Sequence, residues 1–178
     1  MKLKIKVLLK GPNAKMPELI EKGDWIDLYS PEEVKLQKPF LKLRERNGEL
    51  KETQFLNIQK FMLPLGVAMQ LPDGFEARVL PRSSTFKNYG IILANSQGII
   101  DQSYRGNTDE WKFQGVTIME GKNSKISVGD RVAQFRIELS QKATFWQKLK
   151  WLFCSGIELE RVYELEEENR GGIGSTGK

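Results

Sequence analysis

The sequence predicts an all-β domain, a barrel or a sandwich, with one short inserted helix. Three observations carry that prediction. Short stretches rich in β-branched and apolar residues recur through the 178 residues, and turn signals built from Gly, Pro, Asn and Asp separate them. Helical periodicity surfaces at a single place. Short strands punctuated in this way close into barrels or stack as two sheets.

In chain order, the first strand is LKIKVLL, where Lys alternates with Leu, Ile and Val. The alternation stops after a few residues, whereas a signal peptide needs a continuous apolar region and a small-residue cleavage site. Further strands are predicted at DWIDLY, PLGVAMQL, FEARVLP, GIILAN, GIIDQSY, VTIM, DRVAQFRIEL and IELERVYEL, with GPN, LPDG, KNYG and SVGD as turns. Two segments break the rhythm. Residues 36–60 are polar and carry the turn signal Asn47-Gly48, which predicts a hairpin extension. In residues 143–154, ATFWQKLKWLFC, the residues Phe145, Leu149, Leu152 and Phe153 follow i, i+4, i+7, i+8 spacing, the mark of one helix face. That apolar face is expected to pack on the domain itself or on an oligomer of it. The chain then ends NRGGIGSTGK, with four glycines in ten residues. The expected organisation is one domain over 1–168 and a flexible glycine-rich arm over 169–178.

Composition removes several chemistries. The chain has no histidine, so no His-based triad, His general base or His metal ligand is available. Its one cysteine, Cys154, excludes an internal disulfide and a zinc site of several thiolates, and fits a reducing compartment. Catalysis must rest on carboxylates, hydroxyls, arginines, backbone amides or a hard metal such as magnesium. The net charge of +5 is spread among acidic residues as on an ordinary solvated surface, so no nucleic-acid face is expected. No apolar run approaches the ~20 residues that span a bilayer, and a cytoplasmic protein without membrane contact is expected.

Five constellations can carry chemistry. In PRSSTFKNYG, residues 81–90, Arg82, Ser83 and Ser84 place a guanidinium and two hydroxyls beside backbone amides, a set that suits phosphate. The same residues would also serve as a capping turn for a short helix. In NSQGIIDQSYRG, residues 95–106, Asp101 ends an apolar strand, where a shielded carboxylate can activate water or simply cap a turn. GDRVAQFRI contributes Arg131 and Gln134 as the polar residues of a strand. The arm repeats the Arg/Ser pattern with Arg170, Ser175 and Thr176, and its glycines let amides approach an anion closely. GDWIDLYS adds Asp24 and Asp27 on either side of an apolar pair. Two phosphate cradles and one shielded carboxylate, with no other base, describe an enzyme that grips a polyphosphate and activates water.

The series GDWIDLYS, PRSSTFKNYG, NSQGIIDQSYRG, GDRVAQF and RGGIGSTG resembles the five motifs of the trimeric dUTP diphosphatases (dUTPases), in the family's order, from about residue 23 to the C-terminus. The pattern is most similar to the dUTPases of Firmicutes and their phages. The resemblance implies a distorted jelly-roll or β-barrel subunit and a homotrimer with active sites at its interfaces, each closed by a C-terminal arm. It implies hydrolysis of dUTP to dUMP and pyrophosphate, with magnesium chelated by the triphosphate. Asp101 would activate the water that attacks the α-phosphorus, and Gln134 would help position it. Arg82, Ser83 and Ser84 would bind the α/β phosphates, and Arg170, Ser175 and Thr176 the γ-phosphate. Tyr104 would pack on the sugar and reject ribonucleotides. Asn95 and the stretch from Gly98, Ile99 and Ile100 to Trp111 would read uracil through backbone hydrogen bonds. Asp27 would sit in the metal's outer shell through water.

Three features depart from the family pattern. The arm carries Ile173 before Gly174 where relatives place an aromatic ring over the base; either Ile173 gives only an apolar lid, or Trp111 or Phe113 supplies the stacking ring, unless both rings are core residues of a strand. Arg170 stands closer to the glycines than in many relatives. Residues 36–60 and 143–154 look like insertions, and the second is a candidate surface for a regulatory protein partner. Two rival readings remain at this point. One is a dCTP deaminase, with Glu120 as its catalytic carboxylate; the other is a nucleotide-responsive phage regulator that binds a repressor.

Overall fold

The structure, a computed structural model, describes residues 1–46 and 49–171. The chain opens with β1 (Leu3–Leu9), β2 (Glu18–Leu19), β3 (Ile26–Tyr29) and β4 (Val34–Lys35). Next come β5 (Phe40–Arg46), β6 (Glu49–Asn57), β7 (Lys60–Gln70) and β8 (Phe75–Pro81). Helix α1 (Thr85–Tyr89) leads into β9 (Ile91–Leu93), β10 (Gly98–Ile100) and β11 (Glu110–Thr117). The order ends with β12 (Lys125–Ile126), β13 (Arg131–Leu139), helix α2 (Phe145–Leu152) and β14 (Ile157–Val162).

Two five-stranded sheets form the body, one in the order β14-β1-β7-β11-β9 and the other β10-β8-β13-β3-β2. The period-two patterns explain the layers. In β1, Leu3, Ile5 and Val7 are buried between lysines; in β8, Phe75, Ala77 and Val79 are buried; in β13, Phe135 and Ile137 are. These inward residues meet between the sheets, where Trp111 of β11 stands edge-on to Phe135 of β13 at 5.1 Å. Each such large apolar side chain withdrawn from water contributes about 1.5–3 kcal/mol. The pairing of β14 with β1 is parallel, from Leu3↔Ile157 to Leu8↔Val162, so the end of the chain returns along its beginning.

The hairpin expected in residues 36–60 is present as β5 and β6, which pair from Phe40↔Asn57 to Arg46↔Glu49 as a separate two-stranded sheet. Its turn signal, Asn47-Gly48, lies outside the described residues.

One expectation needs correction, and a second is narrowed. The fold has a second helix, α1, in the PRSSTFKNYG segment, with Ser84 at its N-cap and Gly90 ending it at φ 65°. Helix α2 is capped as its sequence suggests, by reciprocal bonds between Thr144 and Gln147. Three residues of its predicted apolar face, however, do not pack on the domain of their own chain, while Leu149 is half-buried. Phe145, Leu152 and Phe153 are 69%, 74% and 67% exposed, as is Trp146 at 74%. Trp151 makes the contact instead, with its ring 5.5 Å from that of Phe75. Apolar residues occur all round this helix, so periodicity alone does not choose the side that turns inward.

Candidate active site

The phosphate-type cradle assembles where β8, β3 and β13 meet. Strand β8 ends at Pro81, and the chain turns there through a hydrogen bond from the Thr85 amide to the Arg82 carbonyl at 3.0 Å. The Thr85 hydroxyl donates to the Val132 carbonyl at 2.9 Å and so pins α1 to β13. The Ser84 side chain makes no capping bond, which leaves its hydroxyl available to a ligand. The Arg82 Nε lies 2.7 Å from Asp27 Oδ1, and Arg131 Nη1 donates to Asp27 Oδ2 at 3.1 Å. Gln134 stands opposite Asp27 in the β13–β3 ladder, and its Nε2 donates to the Pro81 carbonyl at 3.4 Å.

A register shift between Arg131 and Ala133 gives this cradle its second guanidinium. The extra residue lets Val132 and Ala133 both turn into the core and brings Arg131 to the face that carries Asp27 and Gln134. Asp27 is 1% exposed, and two arginines on one buried carboxylate leave the cluster net positive. Such a cluster is built to receive an anion.

Asp101 follows β10 in a tight turn. Its Oδ1 accepts from the Ser103 amide at 2.7 Å and from the Ser103 hydroxyl at 2.5 Å, while Arg170 Nη1 lies 2.5 Å from Oδ2. Burial pushes this carboxyl upward, but the Ser103 hydrogen bonds and the Arg170 charge outweigh it and hold the carboxyl below its usual range. The Tyr104 amide donates to the Asp101 carbonyl at 3.0 Å, and its hydroxyl donates to the Glu110 carbonyl at 3.0 Å. The Tyr104 ring is half-buried against the core, and burial first, then Asp109 and Glu110, pushes its phenol up.

The segment leading to the arm lies on the loop after Asp101. The Leu165 amide donates to Asn107 Oδ1 at 2.7 Å, and the Thr108 amide donates to Asn169 Oδ1 at 2.7 Å. Asp109, 1% exposed, accepts at Oδ2 from the Gly106 amide at 2.9 Å and from the Arg170 amide at 3.0 Å.

The cradle and Asp101 lie at opposite ends of one strand. Ile100 pairs with Ala77, so Asp101 continues toward Glu76, whereas Arg82 lies past the other end of β8. The extended chain from Glu76 to Arg82 spans about 20 Å. Within one chain, Asp101 and the Arg82 cradle are therefore not brought together.

Other expected residues fall as follows. Gly98, Ile99 and Ile100 form β10 and pair with Val79, Arg78 and Ala77. Asn95 is exposed in the turn before it, where Ser96 takes φ 61°. Trp111 and Phe113 are each 0% exposed, which corrects the expectation that one of them stacks on a base: both are core residues between the sheets. Ile173, Gly174, Ser175 and Thr176 lie outside the described residues. Glu120, the carboxylate a deaminase would use, is 62% exposed and paired with Lys38 at 2.6 Å, unlike a shielded base. Among the described residues no three His, Cys, Asp or Glu side chains gather to hold a metal, and both Asp27 oxygens face guanidiniums. No helix among the described residues is long and apolar enough to cross a membrane.

A family model described as dUTPase matches residues 50–149. The chain belongs to the dUTPase family. A deoxyuridine 5'-triphosphate nucleotidohydrolase derived from the SPbeta prophage of Bacillus subtilis (strain 168) is 40% identical over 158 residues, covering 89% of this chain and 87% of the relative. The enzyme of the same name from Thermoanaerobacter sp. (strain X514) is 32% identical over 98% of this chain and 97% of its own. Among solved structures, the dUTPase of phage phi11 of S. aureus, described with a structural Mg(II) ion, aligns at a TM-score of 0.59 and 18% identity over 79% of this chain and 94% of that chain. The dUTPase of Staphylococcus bacteriophage 80alpha aligns at a TM-score of 0.58 and 20% identity, over 98% of both chains. Structures of the 80alpha dUTPase are described as revealing control of virulence-gene transfer by a G protein-like mechanism.

The segment matched by the dUTPase model holds Arg82, Asp101, Tyr104 and Gln134, while Asp27 and Arg170 lie on either side of it. Sequence reasoning missed two residues that hold the candidate site in place: Ser103, which donates to Asp101, and Asp109, which accepts from the Arg170 amide. A signal existed for the first, because Asp with Ser two positions later is a turn-forming pattern. Arg131 was visible only as a polar strand residue, and its place on Asp27 depends on the register shift.

Proposed function

We propose that this dUTPase hydrolyses dUTP to dUMP and pyrophosphate, in a cytoplasmic homotrimer whose active sites lie between subunits. The observation that carries this reading is the cradle of Arg82, Arg131, Asp27 and Gln134, together with its separation from a charged Asp101. Arg82 with Ser83 and Ser84 of one chain binds the α/β phosphates. Asp101 of another chain takes a proton from water as the water oxygen bonds to the α-phosphorus. The bond from that phosphorus to the bridging oxygen then breaks, and pyrophosphate leaves with the electron pair. Gln134 orients the water, and Tyr104 packs on the deoxyribose where a 2′-hydroxyl would clash. Backbone groups around Asn95 and β10 read uracil; cytosine, with donor and acceptor reversed, would leave buried groups unpaired. Arg170, Ser175 and Thr176 hold the γ-phosphate. Magnesium, chelated by the triphosphate, supplies charge neutralisation at the leaving group. Asp27 would hold that magnesium in its outer shell through water.

The test is pyrophosphate release from dUTP with magnesium, for the wild type and Asp101→Asn, with dCTP, dTTP and UTP as controls. Release from dUTP alone, lost in the variant, is expected. Ammonia from dCTP, or tight dUTP binding without release, would overturn the reading. Sedimentation should report a trimer.

A second, regulatory role is favoured by one observation, the exposed Phe145, Trp146, Leu152 and Phe153 on and beside α2. Changing Trp146 and Phe153 to Ser should leave dUTP turnover intact while removing contact with a protein partner.

A further inference from the structure

The turn between β7 and β8, Leu71-Pro72-Asp73-Gly74, meets two segments that lie far from each other in sequence. On one side it holds the loop that carries Asp101. The Gly74 amide donates to Gln102 Oε1 at 2.7 Å, and Arg105 Nη1 donates to Asp73 Oδ1 at 2.7 Å. The residue after Asp101 and the residue after Tyr104 are thus fastened to the same turn. Strand β10, which delivers Asp101, pairs with β8 through only three residues. The bonds from Ser103 to Asp101 orient the carboxylate, but they lie within the loop and move with it. On its other side the turn seats helix α2. Gly74 is buried and takes φ 85°, a backbone conformation that glycine adopts without cost to a side chain. A Cβ there would stand 2.4 Å from Gln147 Cδ and 2.5 Å from its Oε1, so the Gln147 side chain lies directly on the turn. That Oε1 also accepts from the Thr144 amide in the helix cap, which holds the side chain in place. Next along the chain, the fully buried Phe75 carries the ring of Trp151. The Ser140 amide donates to the Gly74 carbonyl at 2.9 Å, which ties the approach to α2 to the same residue.

We infer that helix α2 positions Asp101, by bracing the Asp73-Gly74 turn to which Gln102 and Arg105 fasten the catalytic loop. Gln102 and Gln147 are positioning residues that act through the turn. The phosphate cradle of the same chain lies about 20 Å from this loop along β8. Loosening the turn therefore weakens the step that Asp101 performs and leaves the grip on the phosphates as it is. The inference rests on the role given to Asp101 above.

The test is steady-state turnover of dUTP by the full chain in four variants: Gln102→Ala, Gln147→Ala, the two combined, and Gln102→Glu. In Gln102→Ala kcat should fall about tenfold, by the sensitivity of catalysis to small misplacements, while KM stays close to wild type. Gln147→Ala should lower kcat as well. The double variant should lose less than the product of the two single losses, because both residues act through one turn. Gln102→Glu keeps an oxygen for the Gly74 amide and should return kcat toward wild type. Should Gln147→Ala fail to fold, Trp151→Phe, which shrinks the ring on Phe75, takes its place. Wild-type kcat in either single variant, losses that multiply in full, or a Gln102→Glu chain no faster than Gln102→Ala would each overturn the inference. Asp101→Asn in the same assay keeps the two readings apart. Turnover retained there removes Asp101 from the chemistry, and the role of α2 with it. Turnover lost there, with Gln102→Ala and Gln147→Ala at wild-type kcat, overturns the role of α2 alone.

Discussion

Arg170 Nη1 lies 2.5 Å from Oδ2 of Asp101 in the same chain, so the residue that precedes the glycine-rich segment joins Ser103 in keeping that carboxylate charged. Burial alone would raise the Asp101 carboxyl, but Ser103 and Arg170 reverse that and hold it below its ordinary value of 3.8. The sign follows directly. A depressed carboxyl stays ionised as pH falls past the ordinary value, and its contribution to stability is lost only on falling through the folded-state value. The acid limb of kcat/KM for dUTP, which reports the free enzyme, should therefore lie below 3.8 in the wild type. In Arg170→Ala that limb should move upward. A limb that stays in place would separate the ion pair from the chemistry.

Asp27 invites a different measurement. It is 1% exposed and holds Arg82 and Arg131 at 2.7 and 3.1 Å. Asp27→Asn keeps the shape but removes the charge that both guanidiniums face. Stability should fall by about 1–3 kcal/mol, the range for losing one partner of a buried charged hydrogen bond. The KM for dUTP should rise as the two arginines lose their alignment. Urea unfolding and steady-state kinetics on the same preparation check both numbers, and unchanged values would mean that the cradle is held by the strands alone.

Gly106 tests the arm root without touching any charge. A methyl group there would meet the backbone of Asn169 at 2.6 Å, closer than carbon atoms approach. Gly106→Ala should displace Asn169 and Arg170 while the sheets keep their stability, because the three atoms nearest the new methyl all belong to Asn169. Turnover of dUTP should fall by about tenfold or more, by the sensitivity of catalysis to small misplacements. Wild-type turnover in this variant would mean that the arm reaches its substrate by another route.

The strands were legible because their evidence is local. LKIKVLL, FEARVLP and DRVAQFRIEL each show which residues turn inward, and Leu3, Phe75 and Phe135 do. The motif residues were legible one by one. Their relation was not, because the distance between Asp101 and Arg82 depends on how β10 registers against β8, a long-range pairing that neither segment encodes alone. Arg131 shows the same limit: a one-residue register shift decides its face, and nothing in GDRVAQF marks it. Trp111 and Phe113 looked available for stacking because aromatic residues in a strand read alike whether they serve the core or a ligand.

Helix α2 provides the last prediction. Periodicity pointed to Phe145, Leu149, Leu152 and Phe153 as the packing face, yet Trp151 is the residue that meets Phe75. Trp151→Ala should therefore destabilise the domain by about 1–3 kcal/mol, less than the loss for a fully buried aromatic because this ring is half-buried. Trp146→Ser, at a position 74% exposed, should change the stability of the folded chain by no more than about 0.5 kcal/mol. Thermal unfolding of the two variants separates the sides of the helix. Should Trp146→Ser prove the more damaging, its ring must be covered in the assembled protein, and sedimentation of that variant would show whether a neighbouring subunit supplies the cover.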